Sequence, residues 1–282
     1  MKVFVIGVGL IGGSIVTDMK EVYPDAEIYG VDHSDANLNT ALALGFIHKK
    51  ANLDTIVEAD VVIIAIPVNV AVSLLPKVLD LVSEDTLVFD VGSTKQQLCA
   101  IVEKHPKRYC YVAAHPIAGT EFSGPNAALR NLFRNKANII CEIDKTGKKQ
   151  QDLAFDIFDK LGMRIRFMDA KSHDKHIAYV SHLSHISSFM LGKTVIEKEK
   201  NERDIFDMAG SGFASTVRLA KSSPDMWTPI FGQNRNNVIE ALDEYIENLR
   251  GFKALMEEQN DEAIYNEMKS TNKIKTILKG IS

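Results

Sequence analysis

The chain has 282 residues, with 33 Lys and Arg against 37 Asp and Glu and a formal net charge of −4. This length predicts about two domains, and the scattered basic residues argue against nucleic-acid binding. The three cysteines Cys99, Cys110 and Cys141 are too far apart for a zinc site or a disulfide framework, which favours a reducing compartment, the cytoplasm. The most apolar run, residues 61–72, is too short to cross a membrane. We therefore expect a small-molecule partner, with no nucleic acid and no membrane.

Short β-branched runs alternate with helical patterns between residues 2 and 168. Runs that are apolar on both faces are typical of a parallel sheet covered by helices. Residues 36–44 are predicted to form a helix closed by Gly45, and residues 98–104 another that ends before a proline. The pattern predicts a doubly wound α/β domain over residues 1–169, and its strands are KVFVI, EIYGV, VVIIAI, TLVFDV, CYVAAH, NIICEI and RIRFM.

The strand signals stop at about residue 169, and the remainder is predicted to be all helical. Apolar residues recur at steps of three and four over residues 173–198, 203–221, 226–249 and 257–278. The expected breaks lie at Pro224, Gly251 and near Asn260. A helical domain over residues 170–282 makes a thin core on its own, so we expect it to form a homodimer.

A glycine motif opens the first predicted helix. Residues 7–12 read GVGLIG and directly follow the strand KVFVI, which is the context of a dinucleotide-binding, Rossmann-type domain. Gly7 permits the tight turn, Gly9 the approach of the pyrophosphate, and Gly12 close packing of the helix. Asp32 follows the second strand, where a carboxylate binds the ribose hydroxyls and repels a 2′-phosphate, so NAD is favoured over NADP and FAD remains a minor alternative. The cofactor-binding residues are predicted to be Gly7, Gly9, Leu10, Ile11, Gly12 and Asp32.

His115 is the predicted general base. It ends the strand YCYVAA and precedes a proline and a polar loop, at the edge of the sheet where ligands bind. A dehydrogenase needs a group that removes the hydroxyl proton, and the pKa of histidine suits that task near neutral pH. His173 and His176 match no motif and are predicted to be solvated.

Several ordered motifs resemble the prephenate dehydrogenase family, which oxidatively decarboxylates prephenate to 4-hydroxyphenylpyruvate in tyrosine biosynthesis. The resemblance spans nearly the whole chain and implies a Rossmann-type domain followed by an all-helical dimerisation domain. The motifs are GVGLIGGS at residues 7–14, DVGSTK at 90–95, HPIAGTEFSG at 115–124, SHLSH at 181–185 and GSGFASTVRLAKSSPDMW at 210–227.

The resemblance also implies roles for individual residues. His115 is the catalytic histidine, Ser93 orients it, and Arg218 binds a substrate carboxylate, a task that a planar guanidinium suits. No metal is expected. The other residues implied to line the substrate site are Ser181, His182, His185, Thr120, Glu121 and Trp227. Two residues depart from the family pattern, Ser215 in place of an acid and Ser184 in place of a proline, and the second is expected to relieve a helix kink.

Three alternatives remain open at this point. Arogenate could replace prephenate as the substrate, with the same chemistry. A β-hydroxyacid dehydrogenase would share the two-domain organisation but use a lysine as the base, against which the HPIAGTEFSG loop argues. A redox sensor would bind the dinucleotide without turnover and would need neither His115 nor Arg218.

Overall fold

The computed structural model describes residues 1–200 and 204–279. A single sheet of eight strands has the order β3-β2-β1-β4-β5-β6-β7-β8. The order reverses on either side of β1, as in doubly wound sheets, which confirms the predicted fold class. The strands are β1 (Lys2–Ile6), β2 (Glu27–Val31), β3 (Lys49–Lys50), β4 (Val61–Ile64), β5 (Leu87–Asp90), β6 (Tyr111–Pro116), β7 (Ala137–Cys141) and β8 (Arg164–Met168).

Helices cover both faces of the sheet because its central strands are apolar on both sides. Val3 and Val5 of β1 pack with helix α1 (Leu10–Val22), while Phe4 and Ile6 pack on the opposite face with helix α3 (Val68–Leu81). The helices that follow the strands of the sheet are α1 (Leu10–Val22), α2 (Asp35–Ala43), α3 (Val68–Leu81), α4 (Gln96–Ile101) and α5 (Lys148–Lys160). As predicted, Gly45 lies just beyond α2 with a φ of +73°.

Two features of the sheet differ from the prediction. The two-residue strand β3 was not predicted, because so short an edge strand carries no periodic signal. β7 runs antiparallel to β6, with His115 opposite Ile139, and β8 is parallel to β7, so the sheet is not entirely parallel. The alternation of side chains along a strand is the same in either direction, so it does not encode strand polarity.

The remaining chain is helical, but its helices are more broken than predicted. They are α6 (Ala170–Ile177), α7 (Leu183–Glu199), α8 (Ser211–Thr216), α9 (Pro224–Gln233), α10 (Arg235–Glu257), α11 (Asp261–Thr271) and α12 (Ile274–Leu278). The single helix predicted over 203–221 is wrong: only a short α8 and two 3-10 turns form there, and residue 203 lies outside the described residues. Gly251 lies inside α10 and does not break it, whereas the break near Asn260 is present.

A π-helical turn, Ala178–His182, connects α6 with α7. α7 begins directly after this turn and contains Ser184, and the expectation that Ser184 relieves a helix kink stays a prediction. Such turns carry an extra residue, which rotates the helix that follows relative to the one before, and they are frequent at functional sites.

The chain divides into two compact units, Met1–Arg235 and Asn236–Ser282. The first unit contains the whole sheet together with α6 to α9. The expected boundary at residue 169 stays a prediction. Within the described residues, every helix is too short or too polar to cross a membrane.

Candidate active site

The turn between β1 and α1 requires glycine at two positions. Gly7 has a φ of +94°, and a Cβ atom there would lie 2.3 Å from the carbonyl oxygen of Ala65. A Cβ atom on Gly12 would lie 2.0 Å from the carbonyl oxygen of Gly7. The helix can therefore approach the strands only because both side chains are missing.

Gly9 has a different environment, since the nearest atom to a Cβ built there is the amide nitrogen of Gly124, 4.0 Å away. The space above Gly9 is open at the carboxyl edge of the sheet. The next residues, Leu10 and Ile11, begin α1, whose first N–H groups have no partners within the helix. This arrangement suits an anionic phosphate group.

The carboxylate of Asp32 lies beside this turn, at the end of β2. Its Oδ2 accepts a hydrogen bond from the Val8 amide at 3.1 Å, and its Oδ1 accepts one from the Ser34 amide at 2.9 Å. Nδ1 of the exposed His33 also lies 3.3 Å from Oδ1. An ionised carboxylate has about four acceptor positions, so at least one remains for a hydroxyl group. Together the turn and the carboxylate fit the diphosphate and ribose of a dinucleotide.

His115 is buried at the carboxyl end of β6 and contacts a second histidine. Its Nδ1 lies 2.8 Å from Nε2 of His173, which is carried by α6. Nδ1 of His173 lies 2.7 Å from Oδ1 of the adjacent Asp174. The three side chains form a continuous hydrogen-bonded array.

The prediction that His173 is solvated is wrong. Only 3% of His173 is exposed, because α6 packs its His173–Asp174 face against the sheet and the start of α4. His176 is exposed, as expected. Sequence reasoning missed His173 because the chain places it 58 residues from His115, and only tertiary packing joins them.

Asp174 is fixed by the segment that connects β5 with α4. Oδ1 accepts a hydrogen bond from the Lys95 amide at 2.8 Å, and Oδ2 accepts one from the Gln96 amide at 3.0 Å. The Lys95 ammonium group is buried against the carboxylate of Asp90, which also accepts a hydrogen bond from the Tyr111 hydroxyl at 2.7 Å. The array thus rests on a second buried polar cluster.

Burial lowers the pKa of His115 well below its ordinary value, and the nearby His173, Lys95 and His182 lower it further. Burial also lowers the pKa of His182, to about 4, although Asp174 opposes this shift. Both imidazoles are therefore neutral at pH 7, the form in which a histidine can accept a proton.

Ser93 lies in the loop between β5 and α4 and is half-buried. His115 is held by a hydrogen bond with His173, and no hydrogen bond joins His115 to Ser93 in the structure as described. The orienting role of Ser93 thus stays a prediction.

His182 and His185 both contact the ring of Trp227. The His185 ring stacks on Trp227 with ring centroids 3.5 Å apart, and its Nδ1 lies 3.0 Å from the carbonyl oxygen of Ser181. His182 meets Trp227 edge-on at 5.8 Å. Nδ1 of His182 lies 3.2 Å from the amide nitrogen of Asn234, which donates its other hydrogen bond to the backbone carbonyl of Asp174 at 2.6 Å. Asn234 therefore links this aromatic group to the histidine array.

Two buried ring nitrogens lack partners among the described residues, Nε2 of His182 and Nε1 of Trp227. The bond from Asn234 makes Nδ1 of His182 the acceptor, so Nε2 carries the proton, and the indole nitrogen of Trp227 is always a donor. Two buried donors without acceptors are what an oxygen-bearing ligand could satisfy.

The loop after β6 carries Thr120 and Glu121. Oγ1 of Thr120 accepts a hydrogen bond from the Phe122 amide at 3.2 Å, which caps the turn. Glu121 forms an ion pair with Arg218, with 3.0 Å between Oε2 and Nη1. A hydrogen bond from its own backbone amide lowers the pKa of Glu121, and Arg218 lowers it further.

No group of three or more His, Cys, Asp or Glu side chains that could hold a metal ion is present over residues 1–200 and 204–279. All three cysteines are free and buried.

Comparison with known proteins assigns the family. The model of the prephenate dehydrogenase nucleotide-binding domain matches residues 15–167, and that of the prephenate dehydrogenase dimerization domain matches residues 169–270. The chain belongs to the prephenate dehydrogenase family.

Individual members of the family are similar over most of the chain. Prephenate dehydrogenase of Bacillus subtilis is 31% identical over 268 residues, which cover 94% of this chain and 72% of that protein. Cyclohexadienyl dehydrogenase of Zymomonas mobilis is 28% identical over 98% of this chain and 95% of its own. The crystal structure of Aquifex aeolicus prephenate dehydrogenase in complex with hydroxyphenyl propionate and NAD+ is 31% identical, with a TM-score of 0.91 over 99% of this chain and 98% of that one.

Proposed function

We propose that this chain is an NAD-dependent prephenate dehydrogenase, which converts prephenate to 4-hydroxyphenylpyruvate and carbon dioxide in tyrosine biosynthesis. The observation that carries the proposal is His115, a neutral imidazole held by His173 at the carboxyl edge of the sheet. Membership of the family supports it, as does the similarity to a structure that holds NAD+ and a phenolic acid.

NAD is the proposed cofactor. The residues that would hold it are Gly7, Gly9, Leu10, Ile11 and Gly12 around the diphosphate, and Asp32 at the ribose hydroxyls. The open space above Gly9 and the remaining acceptor capacity of the Asp32 carboxylate support this assignment. When bound, NAD supplies the two-electron acceptor for the oxidation.

His115 is the proposed general base. It takes the proton from the ring hydroxyl while the carbon that bears this hydroxyl is oxidised. The bond between the ring and its carboxylate then breaks, carbon dioxide leaves, and the electron pair completes the aromatic ring. Ser93, at the end of the neighbouring β5, is proposed to contact the same hydroxyl and orient His115.

The residues proposed to line the substrate-binding site are Arg218, His185, Ser181, Thr120, Glu121, His182 and Trp227, and Glu121 is proposed to gate the site through its ion pair with Arg218. Arg218 offers a guanidinium group to a substrate carboxylate, and Glu121 and Thr120 lie on the loop that faces it. The stacked His185 and Trp227 rings and the two unpartnered donors support contacts with a flat ring that carries oxygen atoms.

Three further parts of the assignment are also proposals: a domain boundary near residue 169, a homodimer, and a cytoplasmic location. The match to a dimerization domain over residues 169–270 supports the first two. Three buried free cysteines are compatible with a reducing compartment.

Arogenate is the second candidate substrate, because the similar Zymomonas mobilis protein is named cyclohexadienyl dehydrogenase. The test is absorbance of the reduced nicotinamide at 340 nm, with purified protein, prephenate or arogenate, and NAD or NADP. We expect kcat/KM to be highest with prephenate and NAD. Turnover of arogenate alone would replace the substrate and keep the chemistry, whereas no turnover with either would contradict the proposed function.

A further inference from the structure

The hydrogen-bonded array of His115, His173 and Asp174 fixes which nitrogen atoms carry protons. A carboxylate can only accept hydrogen bonds, and both oxygens of Asp174 already accept backbone N–H groups, from Lys95 and Gln96. Nδ1 of His173, 2.7 Å from Oδ1, must therefore carry a proton and donate it to Asp174.

The same reasoning passes from His173 to His115. A neutral imidazole has one donor and one acceptor nitrogen, so Nε2 of His173 accepts. Nδ1 of His115, 2.8 Å away, must then carry the proton of that ring. The remaining nitrogen of His115, Nε2, is left with a bare lone pair.

We propose that His173 and Asp174 are positioning residues that hold His115 as its Nδ1–H tautomer, so that Nε2 is the atom that accepts the proton. This inference rests on the proposed function, because it concerns the base of the same reaction. Nothing in the sequence motifs assigns a role to His173 or Asp174.

The array also stabilises the product of the proton transfer. When the O–H bond of the substrate breaks, its proton forms a new bond to Nε2 of His115, and the ring becomes an imidazolium ion. Its Nδ1–H continues to donate to Nε2 of His173, and Asp174 accepts from the far side of His173. The proton of His115 stays on His115, so no proton moves along the array, and the partners act by orientation and charge.

The first test measures the tautomer directly and does not depend on turnover. Full-length protein labelled with ¹⁵N-histidine would be studied by NMR at pH 8, and the His115 signals identified by their loss in His115→Gln. We expect Nδ1 of His115 to show the shift of a protonated nitrogen and Nε2 that of a bare one. A protonated Nε2 would overturn the proposal.

The second test compares three replacements of His173. His173→Gln places an amide oxygen near the position of Nε2 and can still accept from His115. His173→Asn reaches Asp174 but not His115, and His173→Leu offers neither contact. We expect kcat to fall roughly 10- to 100-fold in His173→Leu and His173→Asn, with KM for prephenate changed less than about threefold, and to recover in His173→Gln within about fivefold of the parent.

His176→Gln is the matched control, because His176 is on the same helix but exposed, and its kcat should not change. Thermal unfolding of each variant separates loss of orientation from loss of folding. An unchanged kcat in His173→Leu would overturn the proposal. So would equal losses of kcat in all three His173 variants that parallel the decreases in their melting temperatures. If the parent protein turns over neither prephenate nor arogenate, the proposed function fails, while the NMR experiment still decides the tautomer.

Discussion

The guanidinium group of Arg218 donates to the carboxylate of Glu121, with 3.0 Å between Nη1 and Oε2. About half of the Arg218 side chain is exposed, so a second carboxylate can reach it from solvent. A substrate carboxylate that binds Arg218 must share the guanidinium with Glu121 or displace it. The Arg218–Glu121 ion pair therefore competes with the proposed contact between Arg218 and the substrate carboxylate.

Replacing Arg218 should weaken substrate binding more than it slows the chemistry. We expect Arg218→Ala to raise KM for prephenate roughly 10- to 100-fold, because a charged hydrogen bond to the carboxylate is lost, with a smaller effect on kcat. Arg218→Lys keeps the positive charge but loses the planar pair of donors, so its KM for prephenate should lie between those of the parent and Arg218→Ala. Steady-state kinetics with prephenate as the varied substrate measures this effect. An unchanged KM in Arg218→Ala would mean that another cation binds the carboxylate.

Removing the competing carboxylate should have the opposite effect on KM. We expect Glu121→Gln to lower KM for prephenate by up to about fivefold. This factor corresponds to about 1 kcal/mol, the free energy that an ion pair at the protein surface contributes. The difference between Glu121→Gln and the parent should shrink as salt is added, because salt screens exposed charges. Steady-state kinetics at low and high ionic strength measures both the change in KM and its dependence on salt. A higher KM in Glu121→Gln would show that Glu121 helps to hold the substrate.

His115→Asn removes the base while keeping a donor for His173. The Asn amide lies near the position of Nδ1, so packing is largely conserved. We expect kcat to fall by roughly 10² to 10⁴, the usual contribution of a general base. In the parent, kcat/KM should stay level as the pH falls through about 6.5, because burial holds the pKa of His115 well below that value. A drop in kcat/KM centred near pH 6.5 would contradict this assignment.

Asp32→Ala should relax the preference for NAD over NADP. The substitution removes the negative charge that a 2′-phosphate would meet, but it also leaves the Val8 amide without its acceptor. We therefore expect the ratio of kcat/KM with NAD to kcat/KM with NADP to fall. We also expect the protein to lose some stability. Asp35→Ala is the control, since it removes a well-exposed charge at the start of α2. An unaltered ratio would place the ribose elsewhere.

The free energy of unfolding should fall as the pH drops from about 6.5 to 4. The folded state holds the pKa of His182 at about 4, against about 6.5 in the unfolded chain, so the unfolded state binds more protons over that interval. The loss attributable to His182 is about 3 kcal/mol at most. Urea denaturation at several pH values should show a shallower pH dependence in His182→Asn than in the exposed-site control His176→Asn. Equal slopes would show that His182 is not the group responsible.

Local backbone requirements explain why some positions could be predicted from the sequence. The turn at Gly7 and the close approach at Gly12 depend on residues that follow one strand directly, and the structure leaves no room for a side chain at either. Gly45 ends α2 for a similarly local reason. The α/β class followed from strands apolar on both faces, as in β1 and β4.

Contacts between distant segments explain what could not be predicted. His173 is buried because α6 lies against the sheet, and its partner His115 belongs to another part of the chain. The break between α9 and α10 occurs at Asn234, whose amide is drawn to the Asp174 carbonyl and to His182. Helical periodicity records only which residues are apolar, so it predicted helices that continue through such positions.

The reversed direction of β7 has a consequence for how this site can change during evolution. If the strand after β6 were parallel to it, the chain would have to cross to the amino-terminal end of β6 before that strand began. Because β7 is antiparallel, residues 117–136 begin and end at the carboxyl end of β6, where His115 lies. This segment is tied to α1 by the Leu129 amide on Ser14 and by the Asn131 amide on Asp18. The part before those ties can gain, lose or exchange residues without altering strand order or register. This part carries Thr120 and Glu121, which we propose to line the substrate site, so these positions can diverge while His115, His173 and Asp174 stay in place.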